Sequence, residues 1–136
     1  MKRTATAVWN GSGKDGNGKV TTQSSALQGM QYSYKSRFEE GTGTNPEELV
    51  AAAHAGCFSM KLSFVLGAAG FEPESIETSS AINFENGILT NSHLTVKAKV
   101  PNIDAEKFKV CAEEAKATCP ISKALNMSIT MDASLA

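Results

Sequence analysis

Residues 44–70 read TNPEELVAAAHAGCFSMKLSFVLGAAG, and this stretch decides the fold. Asn45 is a suitable N-cap, Pro46 suits the first helical position, and two acidic residues follow where the helix dipole favours negative charge. The remainder is apolar or small on almost every side, whereas a surface helix carries a polar stripe. Gly70 supplies a C-terminal stop. The stretch therefore predicts a long central helix, buried on all sides, with the Cys57 thiol near its midpoint.

The length and the charge of the chain limit its possible classes. Its 136 residues predict a single domain spanning residues 1–136, and a formal net charge of −1 gives no support for nucleic-acid binding. The opening MKRTATAVWN lacks the apolar run of a signal peptide, and His54 and Lys61 within the central helix argue against lipid surroundings. Three cysteines, an odd number, do not indicate a disulfide framework. We expect a soluble cytoplasmic protein with neither nucleic acid nor membrane as a partner.

The segments on either side of the central helix favour short strands and one further helix. Alternating or β-prone residues predict a meander of three strands at residues 3–10, 19–25 and 31–38. Asn86-Gly87 predicts a tight hairpin between two later strands. Asp104 caps a second helix that runs to about Thr118, followed by a short helical turn over residues 121–125 and a strand over residues 127–133.

The resulting order βββ-α-ββ-α-β predicts an α+β fold with two antiparallel sheets around the long central helix. That helix is too apolar for its own sheets alone to cover it. Because most soluble oligomers are symmetric homo-oligomers, a second copy of the chain is the natural cover. We therefore expect a homodimer.

The cysteines are the candidates for chemistry. Free cysteine is often a small buried hydrophobe, and this is the simplest interpretation for any one of the three. Cys111 lies about 12 Å before Cys119 along a continuous helix, which is too far for a disulfide between them. A functional thiol is usually held by a nearby cation, and Arg37 is the candidate, although a solvated arginine at a strand end is the simpler interpretation.

Two further interpretations concern residues of the central helix. Glu47, like Glu48, is by itself an ordinary first-turn acid. His54 precedes Cys57 by three residues, so a metal-binding H-x-x-C pair is conceivable. A structural zinc site needs four ligands, however, and cysteines at C-x2-4-C spacing are missing from the sequence. We expect no metal.

The run RFEEGTGTNPEELVAAAHAGCFSM (residues 37–60), together with TCPISKAL (residues 118–125), closely resembles the OsmC/Ohr family of organic hydroperoxide reductases. The likeness extends through KVTTQSSAL, GAAGFEPESIET and VPNIDAEKF to essentially the whole chain, and RFEEGTGTNPEEL resembles the OsmC branch. The resemblance implies an OsmC-like, intertwined homodimer with two active sites at its interface.

The same resemblance implies an antioxidant, stress-response peroxidase that uses redox-active cysteines and no cofactor. It implies that Cys57 is the peroxidatic cysteine and Cys119 the resolving cysteine, joined by an intramolecular disulfide during turnover. Arg37 matches the arginine that stabilises the thiolate and the peroxide, and Glu47 matches the acid that orients this arginine. Organic hydroperoxides would be preferred over hydrogen peroxide, and a dithiol of the lipoyl type would recycle the enzyme. Cys111 has no role that the resemblance assigns.

The spacing along the central helix adds a hypothesis about assembly. Glu47 and Cys57 are separated by about 15 Å along an unbroken helix. We therefore expect Glu47 to reach the thiol site of the partner subunit, through antiparallel crossing of the two central helices. Two alternatives stay open: a cysteine-based redox sensor, and a small-ligand-binding dimer that turns over no peroxide.

Overall fold

The computed structural model describes all residues, Met1–Ala136, as six strands and four helices. In chain order these are β1 (Ala5–Asn10), β2 (Asn17–Thr22), β3 (Met30–Tyr32), α1 (Tyr34–Phe38), α2 (Pro46–Ala68), β4 (Ser75–Glu85), β5 (Ile88–Lys99), α3 (Ala105–Thr118), α4 (Pro120–Ala124) and β6 (Ser128–Leu135). Contacts within the chain define an N-terminal unit, Met1–Leu49, and a C-terminal unit, Val50–Ala136. The single domain expected from the length stays a prediction.

The N-terminal unit contains an antiparallel sheet in the order β1-β2-β3. Trp9 on β1 pairs with Gly18 on β2, and Gly18 in turn pairs with Tyr32 on β3. The Trp9 and Tyr32 rings meet over this glycine with their centroids 5.4 Å apart. A Cβ atom at position 18 would lie 2.5 Å from the Tyr32 ring, so the close approach requires glycine. The predicted meander is confirmed.

The third strand is shorter than predicted, because residues 34–38 form helix α1 instead of continuing it. Ser33 is the N-cap of α1: its hydroxyl accepts from the Ser36 amide at 3.2 Å, and the Ser33 amide donates to the Ser36 hydroxyl at 2.8 Å. This reciprocal capping satisfies two backbone donors that a strand would have to pair elsewhere. The prediction of a strand over residues 31–38, made from alternation in the sequence, is therefore wrong for residues 34–38. Arg37 lies on helix α1.

Helix α2 has the predicted start and stop. The Glu48 amide donates to the Asn45 side chain at 2.7 Å, which confirms Asn45 as the N-cap. At the other end Gly70 has a φ of +92°, and the Phe71 amide donates to the Leu66 carbonyl at 2.9 Å. This is a Schellman ending, which favours glycine at the left-handed position.

Within the single chain α2 is buried on one face only, which agrees with the expectation that its own sheets alone cannot cover it; its burial on all sides by a partner subunit stays a prediction. Its buried side chains lie on one face: His54, Phe58, Leu62, Val65 and Leu66. On the other face Met60 is 66% exposed and Phe64 is 69% exposed. By length and composition alone α2 could cross a membrane. A core helix passes the same test, and one face of α2 is packed as in a core helix. Only this face contacts apolar side chains of its own chain.

The C-terminal unit contains the second sheet, in the order β4-β5-β6. The predicted hairpin is confirmed: β4 and β5 pair antiparallel, and Asn86 and Gly87 both have positive φ, as a type I′ turn requires. The prediction of two antiparallel sheets is wrong for this one, because β5 and β6 are parallel. A parallel pair needs a long crossover, and here α3 and α4 supply it.

The core of the C-terminal unit lies where α2, β5 and α3 contribute their buried faces. Asp104 caps α3 as predicted, accepting from the Lys107 amide at 2.7 Å. The predicted short turn after Pro120 is helix α4. The buried apolar side chains are Phe58, Leu62, Val65, Leu66, Leu94, Val96, Ala98, Val100, Phe108, Cys111, Ala112, Ala115 and Cys119. One of the two candidate redox thiols, Cys119, thus belongs to the core itself, and Cys57 packs against it.

Candidate active site

Two free thiols from distant parts of the chain meet in the C-terminal unit. Cys57 lies on α2 and packs against the core cluster that contains Cys119, whose side chain is close enough to raise the pKa of Cys57. Cys57 is partly buried, whereas Cys119 is completely buried. The structure therefore brings together the two cysteines that the sequence pairs. It also distinguishes them, because an incoming reactant can contact Cys57 more easily than Cys119.

The position of Cys119 follows from the proline that comes after it. Cys119 ends α3, where its amide donates to the Ala115 carbonyl at 2.9 Å, and it is also the N-cap of α4. Its φ of −56° and ψ of 125° are non-helical, as expected for a residue that precedes proline. The break between the two helices lies at this residue. The chain thus changes direction where the thiol faces Cys57.

The surroundings of Cys57 within this unit hold the thiol in its protonated form. Burial raises the pKa of Cys57, and the neighbouring Cys119 side chain raises it further. Two smaller effects lower the pKa of Cys57: the backbone amide of Ile121, and the positive charge of Lys61 one turn along α2. The C-terminal unit alone therefore does not activate this thiol.

Arg37 and Glu47, the other two predicted site residues, form an ion pair in the N-terminal unit. Arg37 Nε donates to Glu47 Oε1 at 2.8 Å, and the Arg37 guanidinium lies 5.0 Å from the centre of the Phe38 ring. The pairing is not bidentate, because Glu47 Oε2 is buried and accepts no hydrogen bond. The second carboxylate oxygen of Glu47 therefore keeps its accepting capacity.

An aromatic pocket adjoins this ion pair in the N-terminal unit. Its lining includes Arg37 and the side chains of Trp9, Tyr32, Tyr34 and Phe38. Such a pocket combines apolar ring surfaces with one positive group, which suits a ligand that has an apolar body and a polar end. That both residue pairs belong to one site, with Glu47 contributed by a partner subunit, stays a prediction.

His54 is the functional candidate whose role the sequence did not reveal. It is completely buried, its Nδ1 lies 2.6 Å from the Ser92 hydroxyl, and its Nε2 lies 2.7 Å from the Ser122 hydroxyl. Ser92 in turn hydrogen-bonds Ser80 at 2.9 Å. Burial lowers the pKa of His54, so the imidazole is neutral. The serines lie 38 and 68 positions away, and no local pattern could have indicated them.

Cys111 is a core residue on α3 and is 2% exposed. Burial raises its pKa, and the opposing charges of Lys107 and Glu114 make smaller contributions. The continuity of α3 from Ala105 to Thr118 confirms the helix on which Cys111 was placed. A protonated, buried thiol on the core face is structural in character.

The fold and the thiol pair define a class: an α+β protein with two neighbouring free thiols. Comparisons identify the family within it. The family model described as OsmC-like protein matches residues 39–134, which is more than half of the chain. Peroxiredoxin OsmC of Escherichia coli K12 is 45% identical over 130 residues, covering 93% of this chain and 91% of that protein. The chain belongs to the OsmC-like family.

Solved structures agree with this assignment. An OsmC-like protein from Mycoplasma pneumoniae superimposes with a TM-score of 0.79 at 15% identity, covering 100% of this chain and 98% of its own, which shows the shared fold. The organic hydroperoxide resistance protein OhrB of Bacillus subtilis gives a TM-score of 0.66 at 26% identity, covering 98% of both chains. The OsmC-like fold predicted from the sequence is confirmed.

Proposed function

We propose that this chain reduces organic hydroperoxides to alcohols through a sulfenic acid on Cys57 and a Cys57–Cys119 disulfide that a dithiol then reduces. Its family, and its 45% identity to a protein named peroxiredoxin, make it a thiol-dependent peroxidase. The observation that carries the disulfide step is that the two free thiols lie side by side, with Cys57 packed against the core cluster that contains Cys119.

In the first step the Cys57 thiolate attacks the terminal oxygen of ROOH. A sulfur–oxygen bond forms, the oxygen–oxygen bond breaks, and the leaving alkoxide takes a proton to become ROH. The sulfur is oxidised by two electrons to a sulfenic acid. Cys57 suits this role better than Cys119 because it is partly exposed, whereas the Cys119 side chain is sealed in the core.

In the second step the Cys119 sulfur attacks the sulfenic sulfur of Cys57. The new disulfide forms, and the sulfenic hydroxyl leaves as water with the thiol proton. Because the two thiols are already neighbours, little movement is needed for this attack. A dithiol then reduces the disulfide by two exchange reactions, which restores both thiols and leaves the reductant as its own disulfide. We propose that this dithiol is of the lipoyl type.

The first step requires a thiolate, and the C-terminal unit raises the pKa of Cys57. A further positive group is therefore needed, and the proposal assigns this role to the Arg37 guanidinium, which would also stabilise charge on the departing oxygen. Glu47 orients Arg37 through the 2.8 Å bond to Nε. The unpaired Glu47 Oε2 supports a functional role, because buried acceptors without a donor are uncommon in native proteins.

The proposal includes a homodimer and a cytoplasmic location. The exposed face of α2 carries Met60 and Phe64, and a Cβ atom built at Gly56 or at Gly67 on the same helix meets nothing within 4 Å. Small and apolar residues on one helix face allow a second helix to approach closely. A dithiol reductant also requires a reducing compartment, which the cytoplasm provides. The aromatic pocket beside Arg37 supports an organic substrate.

The test is peroxide consumption with dihydrolipoamide as reductant, comparing cumene hydroperoxide with hydrogen peroxide. Cys57→Ser should abolish turnover. Cys119→Ser should consume one equivalent of peroxide and accumulate sulfenic acid, and Cys111→Ser should match the wild type. Faster reduction of hydrogen peroxide than of cumene hydroperoxide would contradict the organic preference.

Two other results would replace the proposal. A protein that forms the disulfide once but does not turn over would be a redox sensor. A protein whose thiols do not react with either peroxide would be a ligand-binding dimer with buried cysteines.

A further inference from the structure

We propose that His54 is a positioning residue: its hydrogen bond to Ser122 holds helix α4, and with it the Cys119 thiol, against Cys57. The inference rests on the proposed function for its catalytic meaning. It concerns a tie between two segments of the chain and assigns His54 no contact with the substrate.

The tie connects the two cysteine-bearing segments one helical turn away from each thiol. His54 precedes Cys57 by three residues on α2, and Ser122 follows Cys119 by three residues on α4. The His54 Nε2 to Ser122 Oγ distance is 2.7 Å, and both side chains are buried. This hydrogen bond fixes the position of two segments relative to each other beside the sulfur atoms, although they are more than 60 positions apart in the chain.

The imidazole is itself held from the opposite side. Its Nδ1 lies 2.6 Å from the Ser92 hydroxyl of β5, and Ser92 lies 2.9 Å from the Ser80 hydroxyl of β4. Because each serine hydroxyl can donate or accept, both bonds form with either neutral tautomer of His54. The hydrogen-bonded series Ser80–Ser92–His54–Ser122 therefore links β4, β5, α2 and α4, and it attaches α4 to the sheet.

Helix α4 needs such an anchor because its own structure is short. It has five residues, and Cys119 provides no side-chain cap at its start. Yet α4 and its N-cap present two groups to Cys57: the Cys119 thiol and the Ile121 amide. A shift of about 1 Å in reacting groups can cost roughly a hundredfold in rate, so fixing this short helix matters for disulfide formation.

The test measures how strongly the folded chain favours the Cys57–Cys119 disulfide. In a Cys111→Ser background, the protein is equilibrated with reduced and oxidised dithiothreitol, and the thiols are then alkylated and counted by mass spectrometry. Ser122→Ala should lower the effective concentration of the two thiols about tenfold, as expected for loss of one buried hydrogen bond. Threonine at position 122 keeps the hydroxyl and should restore most of the loss.

Ser59→Ala is the matched control. The Ser59 hydroxyl also belongs to α2 near Cys57, but it bonds the Ala55 carbonyl at 2.9 Å and Thr78 at 2.7 Å rather than any group of α4. We expect wild-type pairing in Ser59→Ala. Equal loss of thiol pairing in both variants would overturn the inference, because the loss would then reflect general packing. Wild-type pairing in Ser122→Ala would also overturn it, because the Ser122 hydroxyl would then have no role in thiol pairing.

Two substitutions of His54 test the same hydrogen bond without changing a serine. They replace the Ser122→Ala experiment if that variant does not fold. A glutamine at position 54 places its amide near the Nε2 position, toward Ser122, and an asparagine places its amide near Nδ1, toward Ser92. His54→Gln should keep most of the pairing and His54→Asn should lose it. The reverse order would reject the tie.

A second readout separates this inference from the proposed function. After one equivalent of cumene hydroperoxide, dimedone should capture a larger fraction of Cys57 as sulfenic acid in Ser122→Ala than in the wild type. If the wild type consumes no peroxide, the proposed function fails. The dithiothreitol equilibrium still decides whether His54 positions Cys119.

Discussion

The two faces of helix α2 have similar composition and opposite surroundings. One face carries Phe58 and Leu62, both completely buried against β5 and α3. The other carries Met60 and Phe64, which are two-thirds exposed. The difference shows that apolar residues around a helix indicate that it will be covered, but not whether the cover comes from its own chain. We expect a second copy of the chain on the exposed face.

The largest effect should come from truncation on the buried face. Leu62→Ala removes a fully buried side chain and leaves a cavity, so the free energy of unfolding should fall by about 2–5 kcal/mol. Met60→Ala, two residues away on the exposed face, should cost less than about 1 kcal/mol in the dissociated chain. Urea unfolding at several protein concentrations measures both. If the two losses are equal and independent of concentration, the two faces do not differ as described.

A charge on the exposed face should break the dimer and spare the fold. Phe64→Glu places a carboxylate in the expected helix–helix contact twice, once from each chain, so we expect the dimer dissociation constant to rise at least about 100-fold, or ~2.7 kcal/mol. Sedimentation velocity measures the dissociation, and circular dichroism reports the fold. Phe64→Leu is the control and should stay dimeric. An unchanged dissociation constant in Phe64→Glu would place the dimer contact elsewhere.

Acidification should lower the free energy of unfolding through His54, which lies on the buried face of α2. Burial lowers the pKa of this imidazole below its ordinary 6.5, so below pH 6.5 the unfolded chain binds a proton that the folded chain does not. Stability due to this group is complete above pH 6.5 and decreases as the pH falls toward the folded-state pKa, by up to about 1.4 kcal/mol per pH unit. Urea unfolding between about pH 7 and pH 5 measures the slope. His54→Gln should flatten it, and an unchanged slope would assign the effect to other groups.

The smallest effect should come from the glycines at the end of α2. Gly67 lies within the helix, and a Cβ atom at this position would meet nothing within 4 Å, so Gly67→Ala should stabilise the dissociated chain by about 0.5–1 kcal/mol. Gly70, with a φ of +92°, is the contrasting control, and Gly70→Ala should destabilise by about 1–2 kcal/mol. Thermal unfolding at low protein concentration measures both. Weaker dimerisation of Gly67→Ala would show that the partner helix approaches closely at this position.

Local signals in the sequence were sufficient for several elements. Asn45 and Asp104 cap their helices, Asn86-Gly87 forms its hairpin, and Gly70 ends α2, because each depends on hydrogen bonds or φ values within a few residues. The family resemblance implied that Cys57 and Cys119 form a pair. Their roles in turnover, and those of Arg37 and Glu47, stay predictions.

Other features were outside the reach of the sequence alone. The alternation of residues 31–38 suggested a strand, but the reciprocal Ser33–Ser36 cap makes α1 from its second half. The parallel pairing of β6 with β5 depends on where the crossover through α3 and α4 returns the chain. The partial cover of α2 depends on how many apolar faces the rest of the chain can supply.

The sequence by itself determined both ends of α2, the start of α3, the turn at Asn86-Gly87 and the family of the chain, because these properties depend on neighbouring residues and on matched motifs. Only the tertiary structure decided that the Cys119 thiol lies beside Cys57, that one face of α2 stays exposed, and that His54 joins Ser92 to Ser122. These contacts join residues tens of positions apart. Their geometry exists only after the sheet and helices have packed.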